Sequence, residues 1–162
     1  MKALSVRQPW AWAILHGKRI ENRTWASSFR GWVLIHATAS GAERGALEYV
    51  NRVLDQTRRI QLHPEDEQAL PRGAIVGAAR IVDWDWRDRI MELHPGLCAQ
   101  QWAWIDGPKC IVLDDVLALE RPVRCLGRLG LWTVPVAAAA GVLSQLTAEL
   151  RDLFLSPSVP SV

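Results

Sequence analysis

Two stretches near the start of the chain, Ser5-Val6-Arg7-Gln8-Pro9-Trp10 and Gly17-Lys18-Arg19-Ile20-Glu21-Asn22-Arg23-Thr24-Trp25, carry clustered charge in otherwise apolar surroundings. The apolar segment from Ala11 to Leu15 joins them. A solvated face does not require Arg, Gln, Lys, Glu and Arg set around two tryptophans. A pocket for a planar, polar, anionic ligand does. Guanidinium and ammonium groups pair with phosphate, and indole rings stack on bases.

The local pattern places these groups. Lys2 to Val6 reads as a strand. Pro9 suits the first turn of a helix, where its missing N–H costs nothing. Trp10, Ala13 and Ile14 follow at helical spacing, and Gly17 suits the stop. Arg7 and Gln8 therefore stand at a strand-to-helix junction, where free N–H groups favour an anion. From Arg19 to Trp25 the chain reads as extended. With period two, Glu21 and Arg23 share one face, and Ile20, Asn22 and Thr24 the other.

Outward from there, Trp32 to Thr38 is a near-continuous apolar strand, which implies cover on both faces. Residues 41 to 59 read as a helix with Leu47, Val50, Val53 and Leu54 as its stripe. Residues 61 to 72 read as a polar loop with at most one helical turn. Residues 73 to 84 form a second long strand, whose small central residues predict close backbone approach or a bulge. Residues 85 to 101 read as irregular, with His94-Pro95-Gly96 as a turn. Trp102 to Trp104 reads as a short strand and 109 to 119 as a longer one, and Gly127 to Trp132 ends the sheet. Residues 136 to 155 read as one C-terminal helix, and 156 to 162 as a loose tail. Five or six strands with few intervening helices predict an α+β fold, a mostly antiparallel curved sheet or small barrel with helices outside.

Composition bounds the function. The chain has 162 residues, 49% apolar and 22% charged, which suits one domain over 1 to 155. No apolar run is long enough to span a bilayer, and the start lacks a signal-peptide pattern. We therefore expect a cytoplasmic protein without a membrane partner. The net charge of +2 is too weak for a large duplex-binding surface but permits a local basic patch. The three cysteines, Cys98, Cys110 and Cys125, form no metal pattern or disulfide framework and read as thiols in a reducing compartment. The four histidines show no ligand spacing, so neither a metal nor a cofactor is expected. The nine tryptophans are the outlier. They exceed what one small core absorbs, so some line a cleft.

The two opening motifs, with the Gly31-to-His36 strand, resemble the ASCH domain, the activating-signal-cointegrator homology domain of the PUA-like superfamily. Gly73-x-Ile75-Val76-Gly77 with Asp83, the strand from Cys110 to Leu113, and Gly127-Arg128-Leu129-Gly130-Leu131-Trp132 are similar too. The likeness runs over about 2 to 133. It implies a PUA-like β-barrel with a cleft that binds RNA, single-stranded nucleic acid or a modified nucleoside. Some relatives hydrolyse N4-acetylcytidine and others have been described as ribonucleases. The acetylcytidine hydrolases carry a Thr three residues after the Lys as proposed nucleophile. Here the residue three after Lys18 is Glu21, so the chain departs from that pattern.

Within this frame the nucleotide-binding candidates are Ser5, Arg7, Gln8 and Trp10 from the first motif, and Lys18, Glu21, Arg23 and Trp25 from the second. Lys18 and Glu21, with His36, are the catalytic candidates if there is turnover. Each has a plainer reading. Lys18 and Glu21 form a simple ion pair, Arg23 pairs with Glu21, Gln8 caps the helix, and His36 is a satisfied core residue. Trp10 and Trp25 stack a base or pack in the core. Trp84, Trp86, Trp102 and Trp104 form a lid or cover a loop. Asp83 and the pair Asp114-Asp115 are weaker acid/base candidates. Arg44, Arg52, Arg58 and Arg59 decorate a helix or extend a nucleic-acid track. Three classes stay open: a nucleic-acid-binding module, a hydrolase acting on RNA or a modified nucleoside, and a protein-interaction domain. The oligomeric state is not legible.

Overall fold

The computed structural model describes residues 1–155, so the expected tail at 156 to 162 lies outside the described residues. The strands are β1 (Lys2–Val6), β2 (Ile20–Arg23), β3 (Gly31–Ala37), β4 (Ala74–Trp86), β5 (Lys109–Arg124) and β6 (Leu131–Thr133). The helices are α1 (Trp10–Leu15), α2 (Ala46–Arg58), α3 (Pro64–Ala69), α4 (Arg87–Leu93), α5 (Pro95–Gln101), α6 (Val136–Leu143) and α7 (Ala148–Leu155). The strands form one sheet in the order β2-β5-β4-β3-β1-β6. The β1–β3 ladder is parallel and the others are antiparallel. No ladder joins the outer strands β2 and β6 among the described residues, so the sheet is mixed and not closed into the expected barrel.

Alternation along the central strands sorts the core onto two faces. Leu4, Val6, Val33 and Ile35 point into the cluster beneath α1, together with Ala11 and Ile14. Ala3 and Leu34 point the other way, into a cluster with Val142 and Leu146. This double cover explains the near-continuous apolar run of β3. A third cluster joins Ala13 and Ile20 to Val53 and Leu54 of α2, Ile90 of α4 and Cys98 of α5. The expected close approach in the middle of β4 is present at Gly77. A Cβ there would lie 2.5 Å from the Leu117 carbonyl oxygen and 2.5 Å from Leu15.

Several boundaries differ from expectation. Residues 85 to 101 are not irregular. Pro95 opens α5 at its first turn instead of making a turn, and Ile90 and Cys98 give each short helix one buried apolar anchor, with Gln101 also buried on α5. Trp102–Trp104 is a 3-10 turn, not a strand. The first residues of the expected 41–59 helix are non-helical, and α2 begins only at Ala46. The polar segment after it contains α3. The expected C-terminal helix is two helices. The Gln145 carboxamide binds both backbone groups of Arg121 on β5, at 2.8 and 2.9 Å. That contact turns the chain between α6 and α7.

Candidate functional site

The C-terminal ends of β1 and β3 lie side by side, with Val6 paired to Ala37. The Thr38 N–H donates to the Val6 carbonyl at 2.9 Å. The chain leaves both strands at this edge, and β2 returns beside it after α1. A cavity of about 680 Å³ opens there. That volume is within the usual range for small-ligand sites, about 300–1,000 Å³.

Lys18, Glu21 and Arg23 line its floor. Lys18 is 2% and Glu21 6% exposed. The Lys18 ammonium donates to one Glu21 carboxylate oxygen, and Arg23 lies 3.1 Å from the other. Arg23 also donates to the Ser5 carbonyl at 2.9 Å, tying β2 to β1. Burial lowers the pKa of Lys18 and Glu21 only partly restores it. Burial also pushes Glu21 up, but Lys18 and then Arg23 outweigh it, so the carboxyl stays below its ordinary range. With two cations against one anion, the floor carries a net positive charge.

Aromatic rings form the walls. Trp10 meets Trp104 edge-on at 6.3 Å between centroids and Tyr49 at 5.7 Å. The Lys18 ammonium sits 5.9 Å from the Trp104 ring centre. Trp25 lines another part and packs on Trp84 at 4.5 Å. At the rim, Arg7 pairs with Glu43 at 2.5 Å, and Arg44 and Arg128 also border the opening. Three buried side-chain polar atoms lack a hydrogen-bond partner among the described residues. Two of them, Arg23 Nε and Thr38 Oγ1, belong to cavity residues. Buried polar atoms without partners are costly, and they mark places where a ligand or water would be bound.

Seven of the eight nucleotide-binding candidates thus border one cavity: Ser5, Arg7, Trp10, Lys18, Glu21, Arg23 and Trp25. Gln8 does not. It is 1% exposed, accepts from the Trp12 N–H at 3.0 Å and donates to the Pro71 carbonyl at 3.1 Å. It fastens the start of α1 to the segment after α3. His36 does not reach the cavity either. Its Nε2 lies 3.0 Å from the Cys125 carbonyl and its Nδ1 3.4 Å from Ser5 Oγ. Gly127 covers the ring so closely that a Cβ there would lie 2.4 Å from it. His36 is a 1%-exposed core histidine, and Lys18, Glu21 and His36 do not converge.

Asp83 also lies elsewhere. It bonds His94 at 2.8 Å and Arg30 at 2.7 Å. Asp114 and Asp115 pair with Arg80 on β4. The sequence did not single out Thr38, Tyr49 or Asn22. Asn22 carries no chemistry to a ligand but shapes the wall. Its side chain accepts from the Asp106 and Gly107 N–H groups at 3.0 Å and donates to the Trp104 carbonyl at 2.6 Å. An Asn amid strand residues was the available signal, since such a side chain commonly binds nearby backbone. Thr38 follows the end of β3 and Tyr49 lies on α2, too far along the chain for any local pattern to link them. Among the described residues no group of three or more His, Cys, Asp and Glu side chains could hold a metal ion. No helix among them is long and apolar enough to cross a membrane.

Comparison with known proteins places the family. The ASCH domain family profile matches residues 4–106. No curated protein matches the chain. The crystal structure of ASCH from Zymomonas mobilis matches at TM-score 0.50 and 13% identity, over 88% of this chain and 93% of that one. Two mutant forms of that protein match at TM-score 0.47 and 12% identity, over 88% of this chain and 94% and 96% of theirs.

Proposed function

We propose that this chain, which belongs to the ASCH domain family, binds one nucleotide unit of RNA or single-stranded nucleic acid in the cavity above Lys18, Glu21 and Arg23. One observation carries the reading: a buried Lys18–Glu21 ion pair, joined by the partly exposed Arg23, at the floor of a cavity walled by indole rings. A buried ion pair is expensive to keep out of water, and hydrophobic replacements of similar volume often cost nothing. An array held in a cavity therefore points to a ligand. The base packs among Trp10, Trp25 and Trp104. Arg23 Nε and Thr38 Oγ1 find their missing partners on the ligand. The phosphate lies toward Arg7, Arg44 and Arg128 at the rim, where a bidentate guanidinium matches its oxygens.

One observation favours a second reading. Lys18 has a lowered pKa and touches a carboxylate that stays ionised. Such a pair suits hydrolysis of an amide on a modified nucleoside such as N4-acetylcytidine. Glu21 would take a proton from water as it attacks the acetyl carbonyl, Lys18 would steady the developing oxyanion, and the proton would pass to the N4 amine as the C–N bond breaks and acetate leaves. The test is a calorimetric titration of the four ribonucleoside monophosphates, N4-acetylcytidine and short RNAs against wild type, Lys18→Met and Arg44→Ala. Binding lost in Lys18→Met and weakened in Arg44→Ala, with folding intact by circular dichroism, supports the site. Release of acetate from acetylcytidine selects the hydrolase. No binding by any of these compounds overturns both readings.

A further inference from the structure

The register of the sheet edge carries the site beyond the cavity. Directly opposed residues of antiparallel neighbours point to the same face. Arg23 on β2 is opposite Lys109 on β5, and Lys109 is opposite Trp86 on β4. The three side chains therefore form one row on the face that carries Arg23 into the cavity. The Lys109 ammonium lies 4.4 Å from the Trp86 ring centre, which confirms the shared face. Strands are about 4.8 Å apart, so the row runs about 10 Å from the cavity floor residue to the indole. Trp86 is 59% exposed. It does not line the cavity, and core packing does not account for it. A cation above a broad exposed ring matches the chemistry of a phosphate followed by a base.

We infer that Trp86 and Lys109 form a second nucleotide subsite, so that the ligand is a strand of at least two nucleotides and not a free nucleoside. This rests on the proposed nucleotide-binding role of the cavity. Lys109 meets the phosphate that links the two units, and Trp86 stacks the neighbouring base.

The experiment compares the four ribonucleoside 5′-monophosphates with the four homotrinucleotides of RNA by calorimetry. The wild type should bind the preferred trinucleotide at least about tenfold more tightly than the matching monophosphate, the scale expected of one stacked base. Trp86→Ala should bring that ratio close to one while leaving monophosphate affinity unchanged, which also shows that the variant folds. Trp86→Phe should keep most of the ratio. Lys109→Ala should lower the salt slope of trinucleotide binding by about one. Monophosphate binding with no gain for the trinucleotide, or a gain untouched by Trp86→Ala, overturns the subsite and leaves the cavity reading standing. No binding of either class to the wild type overturns both. A protein partner captured through Trp86, with the trinucleotide gain absent, also overturns the subsite.

Discussion

Lys18 and Arg19 are neighbours in the sequence, yet they end in two very different charge clusters. Lys18 is buried with Glu21 at the floor of the cavity, and the partly exposed Arg23 joins them. Arg19 joins Asp114, which Arg80 also contacts, while Arg80 binds Asp115 at 2.6 Å. That second cluster is partly exposed, with Asp115 52% exposed. The buried cluster, on and just before β2, sets two cations against one anion, while the second, on β4 and β5 with Arg19, sets two against two. Water screens the exposed one, so its members cost little to keep and contribute little. The buried one has given up hydration, so each member depends on the others. The difference locates function. Charge that is cheap to place says nothing about a ligand, and charge that is expensive to place, beside a cavity, does.

The comparison breaks most sharply on removing a single carboxylate. Glu21→Ala leaves Lys18 and Arg23 facing each other without a counter-charge and should cost about 3–5 kcal/mol in urea unfolding. The matching change in the exposed cluster, Asp114→Asn, should stay within about 1 kcal/mol. Equal costs would erase the distinction.

Close packing over the site gives the next effect. Gly77→Ala forces a Cβ against the Leu117 carbonyl and Leu15 and should cost about 1–3 kcal/mol through displacement of α1. Thermal unfolding measures it, and a neutral result would mean that α1 is not seated as described.

Acid should weaken the buried cluster. The pKa of Glu21 is lowered in the fold, so its stabilisation is present above the ordinary value of 4.5 and is lost as the pH falls through the folded value. The stability gap between wild type and Glu21→Gln should therefore narrow as the pH falls below 4.5. Urea midpoints across this range report it.

The smallest effect is at the rim. The Arg7–Glu43 pair is half exposed on both sides. Arg7→Ala should change stability by less than about 1 kcal/mol. It should nonetheless weaken nucleotide binding and reduce its salt slope by about one, read by titration at several salt concentrations.

What the sequence disclosed follows the same physics. Period two put Glu21 and Arg23 on one face, and there they form an ion pair at 3.1 Å. The spacing of Trp10, Ala13 and Ile14 was visible because a short amphipathic helix leaves a local imprint. The same logic misplaced His36, since an apolar strand ending in His reads alike whether the ring faces a cavity or the Gly127 turn. Gln8 was equally ambiguous, because a cap and a base reader use the same amide. Tyr49 and Thr38 were hidden, since β1 and β3 pair in parallel only after a long connection, and no local signal encodes that register. Two short helices were missed between 85 and 101. With one buried apolar anchor each, they present too few apolar positions to show a period.

The most direct measurement follows the nine indole N–H signals by nitrogen-15 NMR while RNA trinucleotides are added. The account predicts that Trp10, Trp25 and Trp104 shift saturably while Trp32, packed on Phe154 across the sheet, stays still. Titration that moves none of the three, or that moves Trp32 in their place, would contradict it.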